Sequence, residues 1–139
     1  MDNKDKYADI PKNYQDFRLV QKSNAQPEDY GYDEEDILYL LSLIKDDPTN
    51  EELQDDDIQN DIGCIFSDGV CVEKNANLAK LWFAKSAEQG NDLARSNLAD
   101  IYRKGIGGSE VDLEKAFELY KACGLPYAHY RCGEFYEKG

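Results

Sequence analysis

Three segments of this chain carry one phrase: DIGCIFSDG at 61–69, NLADIYRKG at 97–105 and RCGEFYEKG at 131–139. Ile62, Phe66 and Gly69 are answered 36 residues later by Leu98, Tyr102 and Gly105, and 34 residues after those by Cys132, Tyr136 and Gly139. Between the copies runs a second phrase, in which Ala79, Trp82, Phe83 and Ser86 return 37 residues on as Ala116, Leu119, Tyr120 and Cys123. The differences in length fall at the joints, where GVCVEKNANLA grows to GIGGSEVDLEKA and AEQGNDLA shrinks to GLPYA. Near-constant spacing with indels confined to connections marks a repeat array.

Each phrase has helical spacing. Ala94, Leu98, Ile101 and Tyr102 fall at i, i+4, i+7 and i+8, and Ala79, Trp82, Phe83 and Ser86 at i, i+3, i+4 and i+7, so each set shares one face. Gly69 and Gly105 stand where a helix should end and suit a left-handed cap. Small residues (Ala79, Ala94, Ala116, Ala128) between large aromatics let antiparallel helices approach closely. The unit is a helix–loop–helix pair that cannot bury its apolar face alone, and stacking the units solves that problem. With 41% hydrophobic and 12% aromatic residues, there is material for a folded core.

These residues resemble the SLR family (Sel-like repeats), relatives of the tetratricopeptide repeats. Ile62-Gly63 and Phe66-Ser67-Asp68-Gly69 stand at its Leu-Gly and Tyr-x-x-Gly positions. Asn75, Ala79, Trp82-Phe83 and Lys85-Ser86-Ala87-Glu88-Gln89-Gly90 follow its Asp, Ala, Trp-Tyr and Lys-Ala-Ala-Glu-Gln-Gly ending. A second copy keeps Asp112, Lys115, Ala116 and Tyr120 without the final Gln-Gly, and a third stops after one helix. The resemblance implies an all-α, right-handed helical-repeat solenoid of about two and a half repeats that scaffolds protein–protein contacts, with no catalytic residues. Some members of that family link paired helices by disulfides between cysteines eight apart. Cys123 and Cys132 are nine apart, and with Cys64 and Cys71 the expectation is four buried, inert thiols. No Ser-x-x-Lys arrangement, no Cys-x-x-Cys pair and a single histidine, His129, leave no support for an enzyme, a cofactor or a metal site.

The first half reads differently. Residues 1–27 form an extension whose NYQDFRLVQK is compatible with one short helix docking through Tyr14, Phe17 and Leu19. Residues 28–57 read as acidic capping helices, and 58–139 as the repeats. Asp33 is the expected N-cap of a helix with the stripe Ile37, Leu40, Leu41 and Ile44. Thr49 and Glu52 have capping-box spacing for the next helix, which would make 33–67 a degenerate pair at the start of the stack.

Residues 28–61 hold fourteen acids against Lys45 alone, the whole formal charge of −13; the remaining residues balance. Asp33, Glu34, Asp36, Asp46, Asp47, Glu51, Glu52, Asp55, Asp56, Asp57 and Asp61 are the candidate partner-binding acids. Two readings stay open. The acids solvate the outer face of a terminal cap, or they form a docking surface for a basic protein, steering association. Nucleic acid is excluded as a partner, because its phosphates would be repelled. At the other end Tyr127, Tyr130, Phe135 and Tyr136 cannot all face inward at helical spacing, so Tyr127, Tyr130 and Tyr136 are a second, aromatic candidate surface. It either offers an interface to a partner or merely closes the stack, and a weak dimer of an otherwise monomeric protein through this end also stays open. The longest apolar run, Ile37 to Ile44, is far short of the ~20 residues a membrane helix needs. MDNKDKYADIPK has no apolar leader character, so the expected location is cytoplasmic. The most concrete functional expectation is an immunity-type inhibitor that neutralises a basic bacterial toxin domain such as a nuclease. The alternative is a generic adaptor that holds partners without inhibiting them.

Overall fold

The computed structural model describes residues 15, 17–21 and 23–138, with side chains as far as Glu134. The described residues form helices α1 (Glu34–Asp46), α2 (Asp56–Asp68), α3 (Ala76–Glu88), α4 (Asp92–Lys104), α5 (Leu113–Ala122) and α6 (Pro126–Lys138), with short 3-10 turns between some of them. They contain no strand, and the architecture is an all-α helical-repeat solenoid.

Local chemistry accounts for most helix boundaries. Asp33 accepts the Asp36 amide while the Asp36 carboxylate reaches back to the Asp33 amide, a reciprocal cap that opens α1. Asn75, Asn91 and Asp112 cap α3, α4 and α5 through the amide three residues on. Gly69 and Gly105 close α2 and α4 at φ 74° and 66°, in the left-handed region anticipated for them. Thr49 and Glu52, in contrast, do not open a helix. Asn50 caps a 3-10 turn at Glu51–Gln54, which carries Leu53 into the core, and α2 restarts at Asp55. One Asp55 oxygen serves two amides, those of Asp57 at 2.9 Å and Ile58 at 3.1 Å, and that cap wins.

Consecutive helices from α2 to α6 pack in sequence, and α2 also lies beside α4. Asn97 of α4 donates to the Asn60 side chain of α2 at 3.0 Å, tying the first helices of two successive repeats together. A single core runs through the stack from Ile37 to Ala128. Helix α1 adds Ile37, Leu40, Leu41 and Ile44 to it, but rests on the turns at Pro27–Tyr30 and Glu51–Gln54, whereas α2 gives its close face to α3. The 33–67 segment is therefore not a pair of the kind repeated downstream.

The extension also differs from expectation. Gln15 and residues 17–21 are not helical, and Leu19 forms an antiparallel bridge with Val72. The Val20 amide donates to the Cys71 carbonyl at 3.1 Å, Glu73 to Arg18 at 2.9 Å and Asn24 to Gly69 at 3.0 Å. The connection between α2 and α3 has main-chain groups needing partners, and the strap supplies them from its own main chain, which a helix with its bonds already closed would not. Phe17 is buried edge-to-face on Phe66, ring centroids 5.3 Å apart, as a docking residue should be. Leu19 points to water, 56% exposed, and Tyr14 lies outside the described residues.

Candidate partner-binding surface

The acids of 28–61 divide into those with structural duties and those without. Asp33, Asp36 and Asp55 are consumed as helix caps. Asp47 accepts from the Asn50 side chain at 3.0 Å and Glu52 from the Tyr39 hydroxyl at 2.8 Å. Asp56 and Asp57 share the Asn91 side-chain amide, at 2.9 and 3.2 Å, so the start of α2 is tied to the start of α4. The Tyr32 hydroxyl donates to Asp61 at 2.6 Å, and the Tyr30 hydroxyl donates to Asp68 about two turns on. These two phenols pin the end of the strap across the outer side of α2. Burial first, then the bonded carboxylate, holds both well above the ordinary phenol range.

Glu28, Asp29, Glu34, Glu35, Asp46 and Glu51 are exposed and have no side-chain partner among the described residues. None of the fourteen acids is in an ion pair with a described base. The one local base, Lys45, turns to the strap: its ammonium donates to the Phe17 carbonyl at 3.4 Å and lies 4.5 Å from the Phe17 ring centre. No other described base pairs with the negative charge of the segment. Asp55, Asp56 and Asp57 bring one oxygen each within 4.8 Å of one another. Their capping and tethering bonds already account for that clustering.

Asp61 feels the crowding. Burial raises its pKa, the Tyr32 hydrogen bond opposes the shift, and the charges of Asp57 and Asp55 add to it. A carboxyl whose folded pKa is raised carries a cost that is present above that pKa and relieved as pH falls through it. Asp61→Asn keeps an oxygen for Tyr32 and removes the charge. The variant should match or exceed wild-type stability at pH 7, by no more than about 1 kcal/mol for a half-exposed group. Its stability should also change less than that of wild type between neutral pH and the raised carboxyl pKa. Urea melts of both proteins across that range check this, and a variant clearly weaker at pH 7 would show that the carboxylate is net stabilising.

The aromatic candidates separate. Tyr127 is half-buried in a network between α4, α5 and α6: its hydroxyl donates to Asp100 at 2.7 Å and accepts from Arg131 at 3.0 Å and Arg103 at 3.3 Å. Tyr120 also donates to Asp100 and accepts from Arg103 at 3.0 Å. Tyr127 is therefore tied into the packing of α4 and α6. Tyr130 is 62% exposed, and the Tyr136 side chain lies outside the described residues. Sequence spacing placed Tyr120 in the core but gave no signal for this network, because Asp100 and Arg103 look like ordinary surface charges.

All four cysteines are free thiols, Cys71 and Cys123 buried, Cys64 and Cys132 half-buried. Burial pushes the Cys64 thiol up to about 12 and raises Cys123 and Cys132, which leaves them poor nucleophiles. No helix among the described residues is long and apolar enough to cross a membrane.

The Sel1 repeat model matches residues 58–91, 93–122 and 126–139. Among solved structures, a Sel1 repeat protein from Oxalobacter formigenes is 30% identical with a TM-score of 0.62, over 73% of this chain and 38% of that one. A protective antigen of uropathogenic Escherichia coli strains displaying an SLR fold is 30% identical with a TM-score of 0.57, over 63% of this chain and 19% of that one. Both are thus much longer than the stretch they share with this chain. Comparison with curated proteins yields no match. Proteins of this kind are generally protein–protein interaction modules and typically non-enzymatic scaffolds. Its matched repeats cover more than half of its length, and the chain belongs to the Sel1 repeat family.

Proposed function

We propose that this chain is a non-enzymatic binding module that captures a basic protein through the acidic surface of residues 28–61. Its most concrete form is an immunity-type inhibitor that neutralises a basic toxin domain such as a nuclease. The observation that carries the reading is the charge of the segment: fourteen acids against one base, none of the acids in an ion pair with a described base, and Glu34, Glu35, Asp46 and Glu51 without a side-chain bond among the described residues. Self-repulsion on this scale works against compaction, so its retention argues for use. Long-range attraction would speed encounter, and close contacts formed afterwards would slow release. Family membership alone equally suits the second reading, an adaptor that holds partners without inhibiting them.

The test starts with the partner recovered from native cells, followed by association kinetics. Glu34→Gln, Glu35→Gln, Asp46→Asn and Glu51→Gln together should leave the melting curve nearly unchanged and slow association about tenfold at low salt. Wild-type association should fall steeply as salt rises, and an inhibited partner should lose activity at equimolar complex. A partner bound with salt-independent kinetics and full activity would favour the adaptor. An association rate untouched by the four substitutions would remove the acidic surface from the mechanism.

A further inference from the structure

The outer side of α1 has a composition that capping does not explain. At 100° per residue, Glu34, Lys45, Leu38, Ser42, Glu35, Asp46 and Tyr39 fall within an arc of roughly 140°, opposite the buried Ile37, Leu40, Leu41 and Ile44. Leu38, near the middle of that arc, is 39% exposed, and Tyr39 at its edge is 48% exposed. The Tyr39 hydroxyl is held by Glu52, which braces the ring against the neighbouring turn. Leu38 and Tyr39 stand at nearly one height, 100° apart about the axis, with Glu34 and Glu35 one turn before them and Asp46 about two turns after, so exposed apolar and unpartnered acidic side chains share this face. Solubility alone would be served better by polar residues at both apolar positions.

Resting on the acidic-docking reading, we propose that this face of α1 receives a basic amphipathic helix of another protein. The guest's apolar stripe packs on Leu38 and Tyr39, and its lysines and arginines reach Glu34, Glu35, Asp46 and Glu51. Charge complementarity selects this occupant. A second copy of the chain would set two such acidic segments against each other, and a nucleic acid or an anionic lipid surface would be repelled. A basic guest lacking the apolar stripe would gain encounter rate but little residence time.

The probe is a synthetic peptide of about five helical turns with leucines on one face and lysine and arginine elsewhere, beside an isomer of equal composition in scrambled order. At about 0.15 M salt the whole chain should bind the amphipathic peptide at least tenfold more tightly than the scrambled one. Amide shifts on titration should centre on residues 34–46. Leu38→Ala with Tyr39→Ala, whose fold is checked by its unchanged melt, should abolish that preference and leave both peptides equally weak. The four-site charge variant should weaken both peptides together. Equal affinity of the two peptides for wild type, or a preference surviving Leu38→Ala/Tyr39→Ala, overturns the α1 proposal while leaving acidic docking intact. Absence of salt-sensitive binding to either peptide overturns both.

Discussion

Trp82→Ala is expected to destabilise the protein by about 3–5 kcal/mol, the cost of a large aromatic truncated inside a close-packed core. Trp82 is 2% exposed on α3, and α3 is the helix that packs on α2 in front and α4 behind. The cavity would therefore loosen two interfaces at once, in a stack where each helix depends on its neighbours. The measurement is a urea melt: the midpoint should fall while the slope stays near wild type, which would mark lost stability in an unchanged cooperative unit. Leu113→Ala serves as the control, since Leu113 is 52% exposed and its loss should stay within about 0.5 kcal/mol. A Trp82→Ala loss below about 1 kcal/mol would mean that the side chain does not fill the space assigned to it.

The part of this architecture legible in the sequence is the part written in periodicity. Ile62, Phe66, Leu98, Tyr102, Ala116 and Tyr120 repeat at fixed offsets because each meets an equivalent partner one repeat on, and all six are buried. Gly69 and Gly105 were readable because a left-handed cap tolerates few other residues. The strap was not. Most of its bonds to the Gly69–Glu73 connection run from its own main chain, with the Ser23 hydroxyl accepting from the Cys71 amide at 2.8 Å, and main-chain pairing leaves no side-chain pattern. Only Phe17 carried a packing signal, and Leu19, which looked equally apolar, faces water. The Thr49–Glu52 spacing misled because Asn50 and Asp55, on either side, compete for the same chain and make better use of their oxygens.

The candidate surface divides along the same line. That acid concentrates in 28–61 was visible from a count. The cap at Asp33 was readable from local spacing, but which acids are spent on Asn91 or on the two strap tyrosines depends on contacts spanning about 30 residues or more, and no local motif announces these. Tyr127 and Tyr130 are three residues apart and alike in sequence, yet one is locked to Asp100 and the other is open. Helical geometry alone could say that some aromatic must be left outside, without saying which.

Gly63→Ala should destabilise the protein although the change favours helix formation. In a free helix it would gain up to about 1 kcal/mol. Here an added Cβ would sit 2.4 Å from two carbons of the Phe83 ring, and Phe83 is itself 2% exposed, with little room to withdraw. Overpacking of that kind costs about 1–3 kcal/mol, which outweighs the propensity gain. The following repeat shows that the contact is specific to this pair: Ala99 occupies the position equivalent to Gly63, with Tyr120 in place of Phe83, and both are fully buried. The closeness of α2 to α3 is thus set by a missing methyl group. Pairing Gly63→Ala with Phe83→Leu should recover part of the loss, so the double variant should be more stable than the sum of the single effects predicts. Strict additivity in urea melts of the four proteins would mean that the two residues do not press on each other, and that something else holds this pair of helices at its distance.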